Sequence, residues 1–190
     1  MDILYLKLLN GLTTGALYAM TAFGLTFILG MLNIPNFAHG ALFALGGYAA
    51  YSIIQATGSF WWALLLAPLL LAGFGAALER GVLRHLYGSN PDDDNYLLLA
   101  LFALAIILQE VIIIIWGGAG ASSLPPDLLA GAAKVGPIYY PKFRIFLLVV
   151  SALVILLAWL FIERTRLGAL IRAAIENREA VMLPGVDIRV

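Results

Sequence analysis

From Leu8 to Leu78 the chain contains no Asp, Glu, Lys or Arg, and only His39 could carry a charge there. A soluble fold sets charged faces between its buried ones, and this stretch has no such face to offer to water. A bilayer core of about 30 Å takes about 20 apolar residues per helix, so the stretch can hold about three spans. The rest of the chain continues the pattern. Charged residues make up 12% of the 190 and hydrophobic ones 63%, against the roughly one quarter charged of a soluble domain. The fold class expected is therefore all-α, a polytopic transmembrane helix bundle, and a soluble globular domain is excluded.

Five apolar segments follow one another: about Gly11–Leu32, Ala41–Ala56, Trp61–Leu78, Tyr96–Trp116 and Phe143–Ile162. The opening MDILYLKLLNGL has no clustered basic region and no small-residue cleavage site, so it reads as the lead into the first helix and not as a signal peptide. The second segment is short for a span, and half of a broken helix is the other reading. Trp61 and Trp62 open the third as an interfacial anchor. The fourth has a start signal: Asn90 as N-cap, Pro91 in the first helical position, and Asp92, Asp93 and Asp94 at the positive end of the helix dipole. Gly117 and Gly118 end it. Residues 117–142 form the longest loop, broken by Pro125-Pro126 and Gly136-Pro137, with a short strand expected at Val135–Tyr140. Small-xxx-small patterns at Gly11, Gly15, Ala19 and at Gly73, Ala77 predict close helix packing.

Residues 163–190 hold nine of the 22 charged residues, so the tail lies in water or on a membrane surface. This divides the chain into a transmembrane region, 1–163, and a tail, 164–190. Orientation follows from Lys and Arg. Arg164, Arg166, Arg172, Arg178 and Arg189 put the tail in the cytoplasm, with Arg80 and Arg84 on the same side. The loop carrying Lys134 and Lys142 then falls outside, as does the N-terminus.

Few residues could carry chemistry. Asn33, Asn36 and His39 surround Pro35 between two apolar segments. Polar groups at membrane depth are costly unless they pair or line a cavity. One reading is a broken-helix site on a transport path; the other is an interfacial turn whose side chains cap helix ends. Glu110, inside the fourth segment, is a second candidate, either on the path or paired with a neighbouring helix. One His with two Asn is too weak a ligand set for a metal, and with no Cys there is neither a disulfide nor a thiolate site. Zero net charge implies no general attraction to nucleic acid. No phosphate-binding GxxxxGK[ST] loop, HExxH or nucleophile elbow is present, so no catalytic residue is assigned; ATP, if it drives the protein, is hydrolysed by another chain.

In the tail, Leu167, Leu170, Ile171, Ala174 and Ile175 recur at helical spacing, with Arg166, Arg172, Glu176 and Glu179 off that face. This predicts a short amphipathic helix ended by Pro184-Gly185. Lying on the bilayer and docking in a partner's groove both fit such a helix.

The segments Leu9-Asn10-Gly11-Leu12, Gly15-Ala16-Leu17-Tyr18-Ala19, Gly24-Leu25-Thr26, Ile34-Pro35-Asn36-Phe37-Ala38-His39-Gly40 and Leu45-Gly46-Gly47-Tyr48 resemble the start of the permease subunits of branched-chain amino-acid ABC importers. That group includes urea and short-chain amide permeases. Leu78-Glu79-Arg80 with Arg84, and Thr165-Arg166-Leu167-Gly168-Ala169-Leu170-Ile171-Arg172-Ala173 with Glu179-Ala180 and Gly185-Val186, resemble the group's cytoplasmic segments. The resemblance implies a permease in the bacterial inner membrane, partnered by ATP-binding subunits, a second homologous permease and an external solute-binding protein. It holds no cofactor itself, and the ATP sits on the partner. The tail would be the coupling segment, with Arg166, Leu167, Gly168, Ile171, Arg172, Glu176, Glu179 and Gly185 in the contact zone. Asn33, Asn36, His39 and Glu110 would belong to the substrate path. Pro184 departs from the group's usual Leu-Gly. Members of the group continue for about a hundred residues more, several spans of about 20 residues, so part of the group's domain is expected to be absent here. The reading of another class is an intramembrane enzyme or ion-coupled carrier using Glu110 and His39 together.

Overall fold

The computed structural model describes residues 2–32, 36–86 and 91–176. Six helices account for most of them: α1 (Asp2–Leu32), α2 (His39–Thr57), α3 (Phe60–Gly81), α4 (Pro91–Trp116), α5 (Lys142–Arg164) and α6 (Arg166–Glu176). A two-stranded hairpin, β1 (Ala132–Val135) and β2 (Ile138–Pro141), precedes α5. By length and composition, four helical stretches can cross a membrane: Ile3–Gly30, Phe60–His85, Asn95–Trp116 and Lys142–Arg164. Large apolar side chains stand out from them, Leu65, Ile114 and Leu157 among these. In water such a surface would drive aggregation; in lipid it is the required exterior. The chain is a multi-pass membrane protein.

The chain divides into two compact units, Met1–Asn33 with Leu129–Val190, and Ile34–Leu128. In the first, α1 packs along α5 and also meets β2 and α6. Its helix begins at Asp2, well before the Gly11 expected from hydropathy. Lys7 and Asn10 are tolerated in a helix whose first turns need not lie in the apolar core: at 1.5 Å per residue α1 is about 46 Å long, more than a bilayer core requires. The direction of α1 is set by its contacts. Asn10 and Thr13 meet Tyr140 and Arg144 at the start of α5. The α6 contact lies past the far end of α5, about 34 Å away along the helix. Only the C-terminal part of α1 can reach that far, so α1 and α5 run parallel.

The hairpin pairs Ala133 with Tyr140 and Val135 with Ile138, antiparallel. One strand was expected in the loop, and two form. Gly136 adopts φ 60°, and Pro137, with φ locked near about −65°, excludes the turn that needs two positive φ values. On β2, Ile138 and Tyr140 are buried while Tyr139 is exposed, the period-2 alternation of a half-covered strand. Lys142 N–H donates to Gly131 O at 3.1 Å and closes the base.

The second unit is a three-helix arrangement. Gly58, at φ 66°, ends α2 and donates to Ile54 O at 2.8 Å; the left-handed position favours a residue without Cβ. The chain reverses there, and α3 returns along α2. Their close approach uses small residues: Ala63 and Ala67 are buried on α3, and a Cβ on Gly46 would stand 3.7 Å from Leu71 Cγ. By contrast, a Cβ on Gly11, Gly15 or Gly73 would meet no atom within 4 Å among the described residues. Among the described residues neither expected stripe marks a tight contact at its glycines, because spacing alone cannot say which face of a helix meets a neighbour. A 3-10 turn, Leu83–His85, follows α3, and Leu83 and Leu86 pack on Leu97 and Leu101 of α4. Gly117, at φ 83°, ends α4 where expected.

Helix α2 lies beside α4 in the same direction. Phe37 meets Phe102 edge-on with ring centroids 6.0 Å apart, and Tyr48 meets Trp116 at 5.2 Å. Trp116 Nε1 donates to Ser52 Oγ at 2.8 Å. The rise from Phe37 to Ser52 is about 22 Å and that from Phe102 to Trp116 about 21 Å.

Candidate functional site

Within the second unit, the entry to α2 is built by its own polar residues. Asn36 Oδ1 accepts the Ala38 N–H at 3.0 Å, and Asn36 O accepts the His39 N–H at 3.1 Å. Ala38 O then accepts from Leu42 at 2.9 Å, and the helix runs on. Asn36 thus supplies the turn that a proline-containing break needs, an Asx-type bond to the backbone two residues on. Ala38 is fully buried, while Asn36 and His39 are half-buried. Asn33 lies outside the described residues.

Phe37, one residue past Asn36, rests on Phe102, about 10 Å along α4 from Asn95, where the stretch of α4 that is long and apolar enough to cross a membrane begins. The capping role is the one the hydrogen bonds show. Glu110 sits elsewhere: it is exposed on α4, about 9 Å before the helix end and about 12 Å along the axis from Phe102. Among the described residues no group of three or more His, Asp or Glu could hold a metal.

In the first unit, α6 forms over the predicted stretch. Arg166 and Leu167 are exposed, Leu167 at 61%, and Ile171 is half-buried. Gly168 is buried against the last turn of α5, and Arg172 reaches back to Ile162 O and lies 3.7 Å from Glu163. Glu176 is the last residue of α6; Glu179 and Gly185 lie outside the described residues.

A polar cluster at the other end of this unit escaped the sequence reading. Tyr140 OH lies 3.0 Å from Thr13 Oγ1 and donates to Asn10 Oδ1 at 3.1 Å; Arg144 donates to the same oxygen. Thr13 also donates to Leu9 O at 2.9 Å, the usual helical back-bond. Tyr140 and Thr13 are buried, so the bond that joins the hairpin to α1 is shielded from water, while the Arg144 bond that ties α5 to Asn10 is exposed. Thr165 was missed as well, although a threonine one residue before an amphipathic run is an N-cap signal.

The family described as branched-chain amino acid transport system / permease component matches residues 7–190. The chain is 29% identical over 192 residues to the high-affinity branched-chain amino acid transport system permease protein BraD of Pseudomonas aeruginosa, covering 95% of this chain and 62% of BraD. It is 32% identical over 95 residues to the permease protein LivH of Escherichia coli, covering 44% of this chain and 30% of LivH. The LivH of Salmonella typhimurium is 30% identical over 92 residues. The chain spans about three fifths of the length of BraD, 62%. No solved structure matches it.

Proposed function

The chain belongs to the branched-chain amino acid transport permease family, and on that premise we propose that it forms part of the membrane path of an ATP-driven importer for branched-chain or related amino acids. BraD and LivH are permease proteins of high-affinity branched-chain amino acid systems, which favours that solute class over urea or short-chain amides. In this reading ATP is hydrolysed on separate ATP-binding subunits, and this chain holds no cofactor. A second homologous permease completes the path, and an external solute-binding protein delivers solute. Asn33, Asn36 and His39 border the path at the break before α2, and Glu110 lies on it nearer the opposite face. At membrane depth their polar groups would meet the charged ends of an amino acid where lipid offers none.

The orientation proposed has the N-terminus outside and the tail in the cytoplasm of the inner membrane. Support comes from the parallel course of α1 and α5. For both to enter from one face, the chain between them must cross an odd number of times, so α2, α3 and α4 all cross. The 19 residues of α2 rise about 28 Å, close to the hydrocarbon thickness.

The observation that carries the proposal is α6, an amphipathic helix at the end of a membrane helix with Leu167 61% exposed. Such a face fits a groove on an ATP-binding subunit. ATP-driven closure of the partners would move α6 and open the path outward, in alternating access. The test is co-purification in mild detergent with a candidate ATP-binding subunit of a branched-chain amino-acid importer. The native chain should bind and a Leu167→Asp, Ile171→Asp variant should not. Equal binding by both would remove α6 from the interface.

A further inference from the structure

The geometry points to Thr165, Gly168 and Arg172 as positioning residues that lock α5 and α6 into one rigid elbow, so that force on α6 reaches the membrane helix instead of being lost in a hinge. The inference rests on the coupling role proposed above for α6, and it moves Gly168 and Arg172 from the partner contact to the inside of this chain.

A helix end leaves its last carbonyls and its first N–H groups without helical partners. One residue, Thr165, separates α5 from α6, in extended conformation at φ −104° and ψ 156°. It serves both ends. Its N–H and its Oγ1 donate to Phe161 O, at 3.2 and 2.6 Å. Its Oγ1 accepts the Gly168 N–H at 3.0 Å, the N-cap bond of α6. The next carbonyl, Ile162 O, receives the Arg172 guanidinium from two turns along α6. A cation there also meets the negative end of the α5 dipole. The Glu163 contact, at 3.7 Å between half-exposed groups, is worth little beside it.

Each helix thus completes the other's hydrogen bonding. Opening the angle between them would strip Phe161 and Ile162 of their side-chain donors and uncap α6. Gly168 makes the close approach possible. A Cβ there would stand 2.6 Å from Ile162 C, and nearer still to its oxygen. That atom is backbone, so it cannot move aside as a side-chain end would. Any residue larger than glycine must therefore drive the helices apart.

The test uses the whole transporter complex. The chain has no Cys, so Leu153→Cys on α5 and Ala173→Cys on α6 can be spin-labelled and their separation measured by double electron–electron resonance. The native elbow should give one narrow distance. Gly168→Leu and Arg172→Ala should broaden or shift it, and Arg172→Lys, which keeps a cationic donor, should recover part of the native distribution. In proteoliposomes, both disruptive variants should still co-purify with the ATP-binding subunit and hydrolyse ATP. Solute uptake per ATP should fall in both variants. An unchanged distance in both variants overturns the elbow. A broadened elbow with unchanged uptake per ATP overturns its role in coupling. If the native chain fails to bind the ATP-binding subunit, the coupling reading fails, and the spin-label distances still decide whether the elbow is rigid.

Discussion

Replacing Tyr140 by Phe removes one oxygen from the buried cluster and leaves the ring in place. That oxygen lies 3.0 Å from Thr13 Oγ1 and 3.1 Å from Asn10 Oδ1. The substitution leaves no polar atom stranded, because Thr13 retains Leu9 O and Asn10 retains Arg144. The cost is therefore the net value of the bonds and not a desolvation penalty. A neutral bond contributes about 1 kcal/mol net, and side-chain bonds between membrane helices average about 0.6 kcal/mol with a ceiling near about 1.7. The expected loss is about 1–2 kcal/mol. At about 2–4 °C per kcal/mol for a chain of this size, the midpoint of thermal unfolding in detergent should fall by about 2–8 °C. Tyr140→Ala should cost far more, about 3–5 kcal/mol, because it also empties a buried site. A double-mutant cycle of Tyr140→Phe with Thr13→Val isolates the pair, with an expected coupling of about 0.5–1.5 kcal/mol. Near-UV circular dichroism reports the midpoint. A Tyr140→Phe chain that melts with the native one, together with zero coupling in the cycle, would show that the cluster does not hold the hairpin to α1.

Two further outcomes follow from the packing and the topology. Ala67→Leu places a bulky chain where α3 is buried, and overpacking should destabilise by about 1–3 kcal/mol, read as a lower unfolding midpoint; the same change at exposed Ala121 should be neutral. Single cysteines at Ser122 and Ala173 should react with a membrane-impermeant maleimide from opposite faces of oriented vesicles. Labelling of both from one face would mean that α5 does not cross.

The candidate site was legible in the sequence in proportion to how local its causes are. The charge-free run from Leu8 to Leu78 demanded lipid whatever the arrangement of helices, because solvation depends on composition over a few turns. Gly117 ended α4 and the apolar period made α6 for the same reason: a positive φ and a 3.6-residue repeat are properties of neighbours in the chain. Asn36 could be read as polar and next to a proline, hence as a turn, but the contact of its neighbour Phe37 with Phe102 on α4 could not be read. Gly168 read as one more residue of a contact zone, and nothing in its spacing showed that the backbone of Ile162 stands against it. Tyr140 had no signal at all, for its partners Thr13 and Asn10 lie 127 and 130 positions away. Hydropathy, capping and periodicity are short-range, so this sequence by itself determined that the chain enters a membrane and where most of its helices run. Which polar groups meet across the fold depends on contacts between distant segments, and the close approach at Gly168 on the angle between two successive helices, so only the tertiary structure decided them.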